Sequence, residues 1–546
     1  MSASQQKKNR QVQKAAYMTE KQRKEAQDAK KLKIYTTTFW IVLALCVCIV
    51  ISTVLSTPVK NVLYKNTTVL TVGEHEITAA EFNYFYIDAI NNFTNEYSSY
   101  LSYMLDVSKP LDRQVYDKET GATWADSFVS SAQQDVKSYY ALYDLAMSKD
   151  YKLSEDDTKS IEDEISMLEL YAPLYGYENA DAYLKAVYGN GCGVESYRNY
   201  KTVAAIARGY YKEYSDSLDY SDEDIRNYES KDKGEHYHDF SSVTYATYYM
   251  AYTKWTPSKD ADGKELTYTD EQKDEARAKA KAAAEALAAG SYEDLDAFDK
   301  AIAAMEVNKG ATTGIVCTRQ EDLLSTKVTN EDILEWLLED GHKEGDMTVI
   351  AYETGSGDTK VVNGYYVVRF GELNENKFQL KDVRHILIAP EGGKYNSSTG
   401  KTTYTDEEKA AALAKAEKLL NEWKAGDATE DSFAALVKDN SADPGSNEKG
   451  GLYEEIYPNQ MVEHFNDWTY DENRKSGDTG IVESESGYHI VYFVGDNEIT
   501  YRDFMIRNQL QSEELEEWME DLVENLAYTF KTDRYVNKGL ILSSST

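Results

Sequence analysis

Proline is scarce in this chain, with 7 among 546 residues, and glycine reaches only 30. That excludes a collagen-like or Pro-rich architecture. Cysteine is scarcer still. The 4 present form no CxxC or Cys/His pattern, so no zinc module is expected. Positive charge is in deficit: 59 Lys and Arg stand against 95 Asp and Glu, a formal net charge of -36. A surface that acidic repels phosphate backbones, which excludes nucleic acid as a main partner. What is present argues for folded domains. Apolar residues make up 42%, enough for real cores. The length has room for roughly three to four domains. Tyrosine is unusually abundant, at 45.

The charge is unevenly placed. Residues 1–33 carry 10 basic side chains and 3 acidic ones, Glu20, Glu25 and Asp28. Residues 34–59 carry none, and Phe39–Leu55 is almost wholly apolar. From Lys60 onward 49 basic residues face 92 acidic ones. An uncharged stretch of that length suffices to cross a hydrocarbon core of ~30 Å as a helix. The positive flank comes first, which predicts a single pass with the N-terminus cytoplasmic and the bulk outside the cell membrane. The alternative is a signal peptide cleaved near Ser56-Thr57. The basic region is longer than such peptides carry, so an uncleaved anchor is expected. Cys46 and Cys48 fall within this span. Cys192 and Cys317 lie far apart in sequence, and no disulfide is expected between them.

Residues 60–239 read as a mainly helical domain. Thr68–Ile77 suggests a hairpin turning at Gly73. Thr78 with Glu81 forms a capping box for the helix that follows. Helical patterns cover about 79–106, 124–149, 154–171 and 193–217, and Ser221 caps one more. An internal repeat follows. Residues 268–273 read YTDEQK and 404–409 read YTDEEK; each opens an Ala-rich amphipathic helix, at 270–288 and 406–424. Residues 335–346 align without gaps with 467–478. Each copy opens with a strand (243–252 or 383–389) and closes with one (364–371 or 487–495). The pattern predicts one compact α+β domain present twice, at 240–376 and 378–497. In the remaining segment, 498–546, Ser512 is positioned to cap a helix with one apolar stripe of Leu515, Trp518, Met519, Leu522 and Leu526. A single amphipathic helix cannot bury that stripe alone, so it is expected to pack on the helical domain.

The second copy resembles the parvulin-type peptidyl-prolyl isomerases. The resemblance rests on VRHILI (383–388), SFAALVKDNSADPGSNEKGG (432–451), NQMVEHF (459–465) and SESGYHIVYF (484–493), in that order. Helical segments on both sides, the N-terminal span and VGEHEITAAEF (72–82) make the whole layout similar to the PrsA/SurA-type extracytoplasmic foldases, with 60–239 resembling the SurA N-terminal chaperone domain. The resemblance implies a site. His385 and His489 would be paired histidines on central strands, with Asp443 and the hydroxyl of Ser486 beside them. Leu452, Met461 and Phe465 would line a proline pocket. The chain departs from the family after Gly451, where Tyr453 stands in place of glycine.

Rotation about an X-Pro bond needs no nucleophile, metal or cofactor. It faces the amide resonance barrier of ~18–20 kcal/mol. An apolar slot for the ring and a polar network favouring the twisted amide lower it. Met461 and Phe465, four apart, would share a helical face. Blander readings stand beside each residue. A lone strand histidine is ordinarily structural. Asp443-Pro444-Gly445-Ser446 is also a good turn. Met461 and Phe465 also fit an ordinary core. The His236/His238 pair suits a polar strand better than a metal. In the first copy Tyr366 corresponds to His489, Ile333 to Phe465, and 243–252 holds no histidine, so little isomerisation is expected there. Two functions follow: a membrane-anchored isomerase and foldase for exported polypeptides with X-Pro bonds, or a holdase whose parvulin-like copies only grip unfolded segments.

Overall fold

The computed structural model describes residues 59–231, 238–259, 263–309, 314–396 and 401–542. The basic arm, the uncharged span up to residue 58 and His236 lie outside the described residues. Among those described, no helix is long and apolar enough to cross a membrane. The chain forms two compact units: one runs to Asp219 and resumes at Glu513, the other is Tyr220–Ser512.

The first unit begins with β1 (Thr68–Val72) and β2 (His75–Thr78), an antiparallel hairpin. Gly73 turns it with φ +54°, a conformation that favours glycine. The Thr78/Glu81 capping box starts α1 (Ala79–Glu96), and Thr123/Asp126 starts α2 (Trp124–Ser148). Then come α3 (Glu155–Tyr171), α4 (Ala180–Tyr188) and α5 (Val194–Ser217). The C-terminal segment enters this unit's core. Strand Tyr528–Phe530 pairs with the free edge of β1, Leu70 opposite Phe530, and Val536 is buried with Leu70, Phe82 and Tyr86. Trp518 stacks on Tyr214 at 4.0 Å. Much of the tyrosine is interior here. Tyr84 and Tyr86 are fully buried, and Tyr84 stacks on Tyr200.

The second unit starts with α6 (Asp222–Lys231). Its first copy runs β3 (Ser242–Ala251), α7 (Asp270–Ala288), α8 (Leu295–Ala304), β4 (Thr318–Leu324), α9 (Glu331–Leu337), β5 (Met347–Thr354) and β6 (Val361–Asn374). The second runs β7 (Gln379–Ile388), a small ribbon of β8 (Lys394–Asn396) and β9 (Lys401–Thr403), α10 (Asp406–Ala425), α11 (Glu430–Asn440), β10 (Leu452–Ile456), α12 (Glu463–Thr469), β11 (Thr479–Ser484) and β12 (Gly487–Thr500). The sheets have the same order, β4-β3-β6-β5 and β10-β7-β12-β11. Thr269 and Thr405 begin α7 and α10 with matching capping boxes. In the second copy the pleat divides the side chains between two faces. Ile386, Ile388, Ile490 and Tyr492 pack under Ala416, Leu420, Phe433 and Val437 of α10 and α11. Val383, Val491 and Phe493 pack on Phe465 of α12.

Three boundaries differ from the sequence expectation. α1 ends at Glu96 rather than near residue 106. Ser512 lies inside a single helix, α13 (Tyr501–Glu524), which Thr500 and Asp503 cap instead. Residues 220–231 and 498–512 group with the repeats rather than with the helical unit. The buried Arg502 explains this: its Nε donates to Glu229 of α6 at 2.9 Å, and its guanidinium lies over the Phe240 ring.

Candidate functional site

β7 and β12, the two central strands, carry the paired histidines. Val491 is opposite His385, and Leu387 is opposite His489. The imidazoles are therefore diagonal neighbours on the α12 face, close enough to touch. Their Nδ1 atoms are 3.0 Å apart and the rings stack with centroids 5.2 Å apart. Both are buried, at 4% and 9% exposure. Gly450 and Gly451 bring the next loop against them. Gly451, at φ +75°, accepts from the His385 amide at 2.9 Å, and a Cβ there would lie 2.4 Å from the His385 carbonyl oxygen.

Asp443 does two jobs. Its Oδ1 accepts from the Gly445 amide, which makes the turn, and its Oδ2 lies 3.0 Å from His385 Nε2. Ser446 donates to the same oxygen at 2.5 Å, and Tyr453 donates to it at 3.1 Å. Burial raises the Asp443 pKa. Hydrogen bonds from Ser446, His385 and the Gly445 amide outweigh it and hold the carboxyl at about 2. Burial lowers both histidines: His385 against the pull of Asp443, and His489, further reduced by His385, to about 4.

These states fix the protons. Ionised Asp443 only accepts, so His385 Nε2 carries a hydrogen and its Nδ1 is bare. His489 Nδ1 must then donate to it. His489 Nε2, left bare, accepts from Ser484 Oγ at 2.8 Å. The result is one directed chain of donors from Ser484 through His489 and His385 to Asp443. Phe465 lies beneath both rings, edge-on, with centroids 5.7 and 5.5 Å away.

The fold brings together four of the seven expected site residues, His385, Asp443, His489 and Phe465. The other three are placed differently. Ser486 is exposed in the two-residue turn between β11 and β12, and only its amide takes part, donating to Ser484 Oγ. Ser484, still on the strand, supplies the hydroxyl. Leu452 sits opposite Arg384, whose side chain bonds Glu430 of α11 on the other face of the sheet. Parity of the strand makes the next residue, Tyr453, the one that faces His385, at 5.2 Å between ring centroids. Met461 belongs to the Phe465 cluster but precedes α12, so the two do not share a helical face. Phe465 itself is 2% exposed, a floor rather than an open wall. Ser446 and Tyr453 were missed as site residues. The Asp-Pro-Gly-Ser turn and the departure from glycine at Tyr453 were their only sequence signals. Among the described residues no group of His, Cys, Asp or Glu is placed to hold a metal. Cys192 and Cys317 are buried free thiols.

The second copy is a domain of the parvulin class of peptidyl-prolyl isomerases. Residues 365–496 match the PPIC-type PPIASE domain, a region that takes in all of β7–β11 and nearly all of β12. Among individual proteins, the chain is 40% identical over 88 residues to the foldase protein PrsA 4 of Bacillus cereus. That match covers 16% of this chain and 31% of the curated relative, less than two thirds of its length. Crystal structures of PrsA peptidylprolyl isomerases from Bacillus anthracis and Bacillus cereus align at 21% and 24% identity. They cover 28% and 31% of this chain and 59% and 58% of theirs, each with a TM-score of 0.18.

Proposed function

We propose that this protein is a foldase whose second repeat, residues 378–497, catalyses cis-trans isomerisation of X-Pro bonds in exported polypeptides. The observation that carries the reading is the run of contacts from Ser484 through the buried His489 and His385 to Asp443, in which burial favours neutral imidazoles. Uncatalysed exchange takes tens to hundreds of seconds. Twisting the amide shifts electron density between its nitrogen and carbonyl oxygen. A network with fixed donors and acceptors favours that state without reorganising. The basic arm and the uncharged span 34–59 support a single membrane anchor, cytoplasmic on its N-terminal side, with the acidic bulk outside. The test is X-Pro exchange in a short peptide, followed by NMR with the full chain and with His385→Leu and His489→Leu. Loss of exchange in folded variants is expected; unchanged exchange refutes the assignment. For topology, external protease on intact cells should remove the acidic bulk and spare residues 1–33.

The holdase reading is favoured at the first copy. The sheet registers place Thr247 where His385 stands and Tyr366 where His489 stands. The matching hairpin end carries Tyr352 in place of Ser484. No imidazole is available there, and the three rings of Tyr249, Tyr352 and Tyr366 pack together instead.

A further inference from the structure

On the helix-covered face of the first copy, Ala246 of β3 is paired with Arg319 on one side and Arg369 on the other. The small alanine between two long side chains leaves a cleft of about 460 Å³, also lined by Asp294, Leu295 and Glu344. The two arginines differ. Arg319 bonds Asp296 at 3.2 Å and Asp299 at 2.7 Å. Arg369 is 5% exposed, yet its Nε has no hydrogen-bond partner. Its ion-pair carboxylate, Glu344, is 3.9 Å from Nη2 on a side chain 75% exposed. A buried guanidinium in that state is costly unless something else satisfies it.

The second copy shows what satisfies the equivalent place. There the facing pair is Arg384 and Tyr492, where the first copy has Ala246 and Arg369. Arg384 Nε donates to Glu430 Oε1 at 2.9 Å, and Nη1 donates to the carbonyls of Lys449 and Gly450. Glu430 is the first residue of α11; the first residue of α8 is Leu295. The first copy thus keeps a guanidinium, moved one strand over, and has lost the carboxylate that answered it.

We propose that this cleft binds a carboxylate-bearing peptide, the carboxylate meeting Arg369 as Glu430 meets Arg384. The carboxylate belongs to a chain terminus or to an Asp or Glu side chain. A singly charged group suits the site because Asp294, Asp296, Glu321, Glu344 and Glu372 in the lining repel a dianion such as phosphate more strongly. Planar pairing with a guanidinium adds geometric selectivity. The site is separate from prolyl isomerisation in the second copy.

The test uses the full chain and titration calorimetry with three N-acetyl tetra-alanine probes: the free acid, the C-terminal amide, and the amide with one internal Asp. At least one carboxylate probe should bind tenfold or more tighter than the plain amide, and which one does so identifies the source. Arg369→Gln should erase the difference. Glu344→Gln, at an exposed position that does not threaten folding, should tighten carboxylate binding by removing a competitor. Equal affinity for acid and amide would overturn the proposal, as would binding unchanged by Glu344→Gln. Inorganic phosphate binding as tightly as the free acid would overturn the carboxylate class.

Discussion

The two repeats share every sheet strand, three matching helices and one sheet order, yet only one has a donor chain. At corresponding positions Thr247 replaces His385, Tyr366 replaces His489, Tyr352 replaces Ser484 and Ile333 replaces Phe465. The apolar layers differ far less. Val368 and Phe370 pack on Ile333 and Leu337 as Val491 and Phe493 pack on Phe465. The fold thus rests on the period-2 and helical apolar patterns, and the site on a few polar residues that can be exchanged without disturbing them.

The most severe challenge to that separation is the floor residue. Phe465→Ala removes a ring that is 2% exposed and should cost about 4 kcal/mol. Ile333→Ala, 4% exposed in the matching place, should cost about 3 kcal/mol. Urea unfolding of the full chain measures both. Only the phenylalanine variant should also lower isomerisation, because only there do imidazoles rest on the ring. Equal loss of activity from the two variants would join what the comparison separates.

Next in size is the exchange of the site itself. His385→Thr combined with His489→Tyr gives the second copy the residues of the first. Isomerisation should fall by roughly 100-fold, the scale on which single preorganised donors act, with little change in fold. NMR exchange of an X-Pro peptide reads the rate. If the exchanged protein keeps its rate, the histidines do not carry the activity.

A smaller effect separates the two serines. Ser484→Ala removes the first donor of the chain and leaves His489 Nε2 without it, which should cost about 1 kcal/mol, roughly fivefold in kcat/KM. Ser486→Ala should change nothing, since its side chain faces solvent. The reverse ranking would restore the sequence reading.

That reading shows where a sequence is informative. The capping box at Thr78 is local, so it was legible. The repeat was legible because YTDEQK and YTDEEK begin equivalent helices. His385, His489 and Asp443 lie in ordered motifs. What failed depended on parity and on contacts distant in sequence. Whether residue 484 or 486 reaches His489 turns on where a two-residue turn falls. Whether Leu452 or Tyr453 faces the site turns on a single residue of register. Ser512 resembled a cap although the Thr500-x-x-Asp503 pattern earlier in the chain had already started the helix. Helix α4 (Ala180–Tyr188) is short, and the reading passed over it. Thr247 could be matched to His385 only through the strand pairing.

The smallest expected effect is the pH dependence of the second copy, and its flatness is the point. An ordinary imidazole titrates near 6.5, so an exposed catalytic histidine would lose half its neutral form there. Here burial holds His385 below that value and His489 at about 4, while Asp443 stays ionised down to about 2. Uncharged His489 and the charged acceptor therefore coexist from alkaline pH to near pH 4, and His385 stays uncharged to below the ordinary imidazole value. kcat/KM should change by less than about twofold between pH 8 and pH 6.5. Stability behaves differently, and its sign is fixed by linkage. Below 6.5 the unfolded chain takes up protons on both histidines before the folded chain does, so the native state loses stability as pH falls. The loss is at most about 1.4 kcal/mol per pH unit for each imidazole. The Asp443 contribution is fully present above its unfolded value near 3.8 and fades only as pH drops toward 2, outside this window. In the first copy Thr247 and Tyr366 contribute neither effect. Giving the second copy those residues should therefore remove the part of the slope in urea stability between pH 6.5 and pH 5 that comes from these two histidines. A rate profile with a midpoint near 6.5, or a slope unchanged by the exchange, would mean that the two imidazoles are not held neutral by burial.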